Sequence, residues 1–187
     1  MGTKHKKDVI EHRKTQLVIK QCSTCKDCPL KIYAKENEKI TYGVGNIHSN
    51  VIIVLPTYDT NADKDYNTIL KLLLDTYKEH TGRDLLEDAY ITRLVKCYKN
   101  SPYNLIDAAI PYCSFHISYE MLKINAKNII FTSDTLKQFI DGFHSRNNIR
   151  TFGKNTYTMY SPAIMYYNNE TIKSNFIEQL KWIAKVV

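Results

Sequence analysis

Apolar and polar segments alternate along the chain in a pattern that predicts four strands separated by helices. Residues 51–55, VIIVL, form a short continuous apolar run rich in β-branched side chains, which is typical of a buried parallel strand. Pro56 ends this run, because proline cannot continue a central strand. The other three predicted strands are residues 89–97, 128–133 and 156–162.

Apolar residues at helical spacing fill the segments between and after these strands. Gly82 is a stop signal for the first predicted helix, and Asp134 is a candidate cap for the third. Pro111 either kinks the second helix or starts a new one after a short break. The four predicted helices are residues 67–82, 104–125, 134–143 and 170–187.

Strands that alternate with helices predict an α/β fold. We expect a three-layer α/β/α sandwich around a central, mostly parallel, four-stranded sheet. Residues 1–187 should form a single domain, with a basic N-terminal helix in residues 1–20 and a cysteine-rich loop in residues 22–46. Ligands of such sheets bind at the carboxyl ends of the strands. This edge should carry Pro56, Cys97, Ser133 and Ser161.

The charge balance narrows the classes of partner. The 26 Lys and Arg residues exceed the 19 Asp and Glu residues, for a net charge of +7, which favours DNA or another polyanion as partner. No apolar run is long enough to span a membrane, and the N-terminus lacks the apolar core of a signal peptide. We therefore expect a cytoplasmic protein without a membrane partner, whose thiols stay reduced. Its abundance of Lys, Asn, Ile and Tyr is typical of AT-rich genomes. A phage or a mobile element is a candidate source, and a phage-encoded protein would lie in the host cytoplasm.

Five cysteines are the main candidates for chemistry. Cys22, Cys25 and Cys28 lie within seven positions, and Cys97 and Cys113 follow much later. Two thiolates separated by two residues can hold one metal centre, and a second pair brought alongside would complete four ligands. Spacing alone does not choose between zinc and a [4Fe–4S] cluster. The alternative is that Cys97 and Cys113 are small buried side chains.

Several motifs, in order along the chain, resemble those of the iron–sulfur (family 4) uracil-DNA glycosylases. Residues 25–30 read CKDCPL, where that family has C-x2-C-P-L. Residues 43–46 read GVGN for G-E-G-N, and residues 90–97 read YITRLVKC for Y-I-T-N-x-V-K-C. The resemblance covers roughly residues 22–165. It implies the uracil-DNA-glycosylase fold and a structural [4Fe–4S] cluster held by Cys25, Cys28, Cys97 and Cys113, with Cys22 as an alternative ligand.

The residues that perform base excision in that family are replaced here. Pro56 stands at the position of the acid that handles the water, and Asp59 or Asp63 would have to substitute for it. Arg93 stands where an asparagine recognises the uracil edge, although a guanidinium has no acceptor. Ser161 stands where a histidine stabilises the departing base. The family's stacking phenylalanine is also missing, and residues 65–70 read DYNTIL instead of G-x-P-F-x-G.

These replacements predict a degenerate pocket and little excision. The degenerate pocket consists of Pro56, Tyr58, Arg93 and Ser161. The bulk of Arg93 should intrude on it, unless Arg93 turns out to a carboxylate or to solvent. The leading hypothesis is a catalytically silent, cluster-bearing protein that binds single- or double-stranded DNA or serves as an adaptor in a replication or repair assembly. Tyrosines of residues 159–167 could stack on single-stranded bases. The predicted phosphate contacts are Lys96, Lys99, Arg146, Arg150 and Lys154.

Two other functions stay open from the sequence. An active glycosylase for uracil or another deaminated base would need relocated catalytic groups, such as Asp59 or Asp63 with Arg93. A protein–protein interaction module would use the former DNA face for a partner.

Overall fold

A computed structural model describes residues 26–31, 43–59, 64–96, 103–124, 126–146 and 154–187. The predicted basic helix of residues 1–20 and most of the cysteine-rich loop lie outside these ranges. Within them the chain has an α/β fold built on a five-stranded mixed sheet. A separate two-stranded antiparallel pair consists of β3 (Tyr58–Asp59) and β4 (Lys64–Asp65).

The strands of the sheet are β1 (Val44–Gly45), β2 (Val51–Leu55), β5 (Tyr90–Arg93), β6 (Asn128–Phe131) and β7 (Asn155–Thr158). Their order in the sheet is β1-β5-β2-β6-β7. Strands β5, β2, β6 and β7 run parallel, in register pairs such as Ile53 with Ile91 and Ile130 with Tyr157. The predicted count of four strands was incomplete, because β1 adds an antiparallel edge beside β5.

Five α-helices and one 3-10 helix accompany the strands in the described part of the chain. The 3-10 helix, Pro162–Tyr166, follows β7 directly. Pro111 does not break its helix, which continues through it. The cap of the fourth helix is Ser133 rather than Asp134, since the Ser133 hydroxyl accepts from the Leu136 amide at 3.1 Å. The α-helices are α1 (Tyr66–Thr81), α2 (Leu85–Asp88), α3 (Tyr103–Lys123), α4 (Asp134–Arg146) and α5 (Glu170–Val186).

Helices cover both faces of the sheet because its central strands are apolar on both sides. Helices α1 and α5 pack on one face, through Leu73 and Phe176 among others, against Ile53 and its neighbours. Helices α3 and α4 pack on the opposite face, where Ile117 and Ile140 contact residues of β2 and β6. Burying every residue of β2 explains its unbroken apolar sequence.

A third, smaller apolar cluster lies apart from both sheet faces. Its buried members are Leu30, Val95, Ile106, Ala109 and Cys113, and Cys28 packs against them. We call this group the cysteine-side cluster. It joins the turn of residues 26–31 to two segments that are distant from it in sequence, the chain just after β5 and the first half of α3.

Candidate functional site

The parallel strands bring three of the predicted pocket positions to one edge of the sheet. Pro56 follows β2, Arg93 is the last residue of β5, and Ser161 lies shortly after β7. Arg93 pairs in register with Leu55, so that it lies beside the strand end that Pro56 terminates. Tyr58 and Asp59 form β3 just beyond, although their side chains lie outside the description, as does all of Asp63.

Arg93 is buried, with 2% of its surface exposed. The alternative that Arg93 turns out to solvent is therefore wrong. Its charge is close enough to Lys96 to contribute to lowering the pKa of that ammonium group. A long cationic side chain thus lies inside the protein at the end of β5, where the resembled family carries a small amide.

Ser161 has a local structural role. Its hydroxyl accepts a hydrogen bond from the Ala163 amide at 3.3 Å and so caps the 3-10 helix. A neutral hydroxyl that caps a helix is a weak substitute for a histidine that stabilises a leaving base.

Lys96 is buried rather than presented to a phosphate. It is 1% exposed, and its ammonium group forms an ion pair with Glu120 at 2.5 Å. This burial argues against the predicted phosphate contact of Lys96. Burial lowers its pKa, and the attraction of Glu120 opposes that effect without cancelling it.

Glu120 is the hub of a buried polar network that sequence reasoning missed. One carboxylate oxygen accepts from the Tyr90 hydroxyl at 2.8 Å and from the Gly43 amide at 3.4 Å. The other accepts from the Thr92 hydroxyl at 2.9 Å, and from Lys96. A signal for this hub did exist in the sequence, because Glu120 shares a mostly apolar helical face with Cys113 and Ile117.

His116 lies near the same network. Burial and the charge of Lys96 lower its pKa, and Glu120 acts in the opposite direction. The imidazole is therefore held toward its neutral form beside the ion pair.

The described cysteines lie on the cysteine-side cluster. Cys113 is buried on α3. Cys28 begins a turn in which the Lys31 amide donates a hydrogen bond to the Cys28 carbonyl at 3.0 Å. Cys97 lies outside the described residues, but Val95, two positions earlier, packs in the same cluster. Cys22 and Cys25 also lie outside, and within the described ranges no three metal-binding side chains come together.

Two of the four ligands that the resemblance implies, Cys28 and Cys113, share one apolar cluster although they are distant in sequence. The other two, Cys25 and Cys97, lie outside the described residues. Sulfur donors of this kind suit zinc or an iron–sulfur cluster and do not suit hard cations such as magnesium.

Of the remaining predicted phosphate contacts, the structure describes one side chain. The Lys154 ammonium group donates to the carbonyls of Met121 at 2.7 Å and Ala126 at 2.9 Å. It therefore holds the C-terminal end of α3, where a cation is favourable. Lys99 and Arg150 lie outside the described residues, as does the side chain of Arg146.

Exposed tyrosines mark the carboxyl edge beside β7. Tyr160, Tyr166 and Tyr167 are each at least 40% exposed, and they flank or belong to the 3-10 helix. A groove of about 640 Å³ lies next to them, between β7 and α5. Tyr157 and Trp182 meet edge-to-face in it, with ring centroids 4.8 Å apart. Pro56, Arg93 and Ser161 are not among the described residues that line the groove.

The sequence matches no protein-family model, and no curated protein matches it. In the described part of the chain, no helix is long and apolar enough to cross a bilayer.

Proposed function

We propose that this chain is a [4Fe–4S] protein of the uracil-DNA-glycosylase type that has lost base excision and binds DNA, either alone or as an adaptor in a replication or repair assembly. The observation that carries the proposal is the cysteine-side cluster. This cluster contains Cys28, Cys113 and Val95, and Val95 lies two positions before Cys97. At the nearby carboxyl ends of the strands, the positions of the family's catalytic residues carry other side chains.

Cys25, Cys28, Cys97 and Cys113 would hold the [4Fe–4S] cluster, with Cys22 as the alternative to Cys25 or Cys28. The [4Fe–4S] cluster would cross-link the loop that carries the N-terminal cysteines to the rest of the protein. Metal sites do the same in small domains with little apolar core. The chain's own contribution is to supply thiols in an apolar, water-poor environment.

Three positions at the carboxyl edge of the sheet support the loss of base excision. Pro56 cannot handle a water, and Ser161 is engaged in capping the 3-10 helix. Arg93 is buried at the end of β5, where a base would need an amide and open space. Removing one preorganised donor from such a site typically costs about 10²–10³ in rate, so the combined losses leave little activity.

The exposed tyrosines provide the contact to DNA. Tyr160, Tyr166 and Tyr167 present aromatic rings at the same edge, next to the strand ends. Aromatic rings stack on unpaired bases without sequence preference, at about 1–3 kcal/mol per base. The positive net charge of the chain attracts it to phosphates. The protein would work in the cytoplasm of a cell or of a phage host.

A binding and excision assay tests the proposal. The wild-type protein should bind a single-stranded oligonucleotide, and Tyr166→Ala with Tyr167→Ala should weaken binding at least tenfold, which corresponds to loss of about one stacked base. Tyr119→Ala is the matched control, because Tyr119 is equally exposed but lies on α3. Oligonucleotides that contain uracil, hypoxanthine or xanthine should stay intact.

Two outcomes would favour the other functions. Alkali-labile breaks that Asp59→Asn or Asp63→Asn abolishes would establish an active glycosylase. Absence of binding to single- and double-stranded DNA at low salt would favour a protein–protein interaction module.

A further inference from the structure

The groove between β7 and α5 has the size and lining of a small-ligand site. Its volume of about 640 Å³ lies within the range of roughly 300–1,000 Å³ that such sites occupy. Apolar side chains that are almost fully buried line part of it, namely Ile130, Met159 and Ile183. Polar side chains of α5 line another part, and this combination is typical of pockets that hold one ligand in one orientation.

Three aromatic rings in the groove favour a planar ligand. Tyr157, Tyr160 and Trp182 all line it, and the two tyrosines are 37% and 41% exposed. The edge-to-face contact between Tyr157 and Trp182 holds both rings in place while it occupies only one ring face. Nucleic-acid bases stack on such rings, so an unpaired base fits this lining.

The polar lining comes from one side of α5. Asn175, Glu178, Gln179 and Trp182 line the groove at spacings that place them on the same side of the helix. The Gln179 amide oxygen accepts a hydrogen bond from the Tyr160 backbone amide at 3.1 Å, which ties α5 to the end of β7. The nitrogen of the same side-chain amide remains as a donor.

Glu178 supplies a negative charge to the groove. Its carboxylate pairs with the Lys181 ammonium group at 2.8 Å. The hydrogen bond from Lys181 lowers the pKa of Glu178, and the charge of Lys185 acts in the same direction. The carboxylate is therefore ionised at neutral pH and only accepts hydrogen bonds, at about four sites. Lys181 leaves sites from which the carboxylate can accept from a ligand as well.

A carboxylate beside side-chain amides selects among the bases. Guanine presents two adjacent donors, N1–H and the 2-amino group, next to its O6 acceptor. The donors match Glu178, and O6 matches the nitrogen of a side-chain amide such as Gln179. Thymine and uracil place a single N–H between two carbonyl oxygens, which a carboxylate repels. Adenine and cytosine place an acceptor nitrogen directly beside their amino group, so guanine is the best match.

Tyr160 connects the groove to the proposed DNA contact. It lines the groove and is also one of the exposed tyrosines at the carboxyl edge of the sheet. A single strand held by Tyr160, Tyr166 and Tyr167 therefore lies within reach of the groove. Lys185 is exposed on α5 and adds positive charge for the phosphates of such a strand.

We propose that this groove holds one unpaired guanine of a bound single DNA strand, with its ring against Tyr157 and Trp182 and its edge on Glu178. This inference rests on the DNA binding of the proposed function. It adds a base preference at one position to stacking contacts that are otherwise independent of sequence.

The fluorescence of Trp182 reports directly on the groove, because the chain has a single tryptophan. A thymine oligonucleotide with one central guanine should quench this fluorescence on titration. It should bind at least about tenfold more tightly than the same oligonucleotide with hypoxanthine in place of guanine, since hypoxanthine lacks only the 2-amino group. The all-thymine oligonucleotide should show the same weaker binding.

Glu178→Gln should abolish the preference for guanine over hypoxanthine. Glu170→Gln is the matched control, because Glu170 lies on the same helix and pairs with Lys173 three positions later, but is not among the described residues that line the groove. The control should keep the full preference. Both glutamates are exposed, so neither variant should disturb folding.

The outcomes separate this inference from the proposed function. Equal binding of the guanine, hypoxanthine and thymine oligonucleotides would overturn the guanine site and leave DNA binding by the tyrosines intact. A preference that survives in Glu178→Gln, or binding without a change in Trp182 fluorescence, would also overturn the guanine site alone. Absence of binding to every oligonucleotide at low salt would overturn both, even if free deoxyguanosine monophosphate quenched Trp182.

Discussion

The burial of individual polar residues decides how the sequence pattern should be interpreted. Lys96 follows a strand, where the sequence predicts a contact to phosphate. It is buried instead, and Glu120 reaches it from a helix that begins seven positions later. Nothing local in the sequence specifies that pairing. It arises only when α3 is laid across the sheet.

Tyr77 is a residue whose ionisation links stability to pH. Its ring is fully buried, and its hydroxyl donates to Asp88 at 2.7 Å. The Asp88 carboxylate also accepts two hydrogen bonds from the Arg83 guanidinium, at 2.6 and 2.7 Å. Burial, followed by the adjacent carboxylate, raises the pKa of Tyr77.

The Tyr77→Phe variant tests this linkage. At pH 7 it should lose about 1 kcal/mol, the usual net value of one hydrogen bond. The folded-state pKa of Tyr77 is raised, so its contribution is complete below the unfolded value near 10 and is lost as the pH rises above it. At about pH 11 the wild type loses roughly 1.4 kcal/mol that the variant does not, and the two stabilities should cross.

Urea unfolding between pH 7 and 11 measures the crossing. Tyr167→Phe serves as the control at pH 7, because its exposed ring should leave stability within about 0.5 kcal/mol of wild type. A constant difference between wild type and Tyr77→Phe over the whole range would contradict the linkage.

At the scale of elements, the longest apolar patterns were predictable and the shortest contacts were not. The strand of residues 51–55 and the first helix were placed within one residue of β2 and α1. The second strand was predicted too long, because Leu94 and Val95 continue the apolar run but leave the sheet to pack in separate apolar clusters. Strand β1 was not predicted, because its two residues are too few to show the alternation of apolar and polar positions that marks a strand.

Gly45 explains how such a short strand is held at the edge. Its φ of +102° is disfavoured for other residues, and a Cβ there would lie 2.3 Å from the Ala89 carbonyl oxygen. Gly45→Ala should therefore cost about 3 kcal/mol, from backbone strain and from displacement of β1.

Gly82→Ala is the matched variant for Gly45→Ala. Gly82 also has a positive φ, of +70°, at the end of α1, but a Cβ there meets no atom within 4 Å. It should cost only about 1 kcal/mol, the penalty of the left-handed conformation. Urea midpoints measure both values. Equal costs would mean that the close approach of β1 to Ala89 carries no energy.

At the scale of the whole molecule, the described apolar core is divided unequally. The two sheet faces bury 15 and 12 residues, whereas the cysteine-side cluster buries five. Few described apolar residues hold this part of the chain together, and small cores usually depend on metals or cross-links. The cysteine spacing predicts such a metal site, but nothing local in the sequence predicts the buried ion pair between Lys96 and Glu120.

Removal of the proposed metal should therefore unfold part of the molecule and not all of it. Hydrogen exchange after oxidative chelation should show at least tenfold faster exchange in residues 26–31 and in the first half of α3. Amides of β2 and β6 should stay protected, because the two large clusters hold them without metal. Cys113→Ser should reproduce this pattern in protein that was never loaded. Uniform loss of protection would mean that the centre supports the whole sheet, and unchanged exchange would mean that the cysteine-side cluster needs no metal.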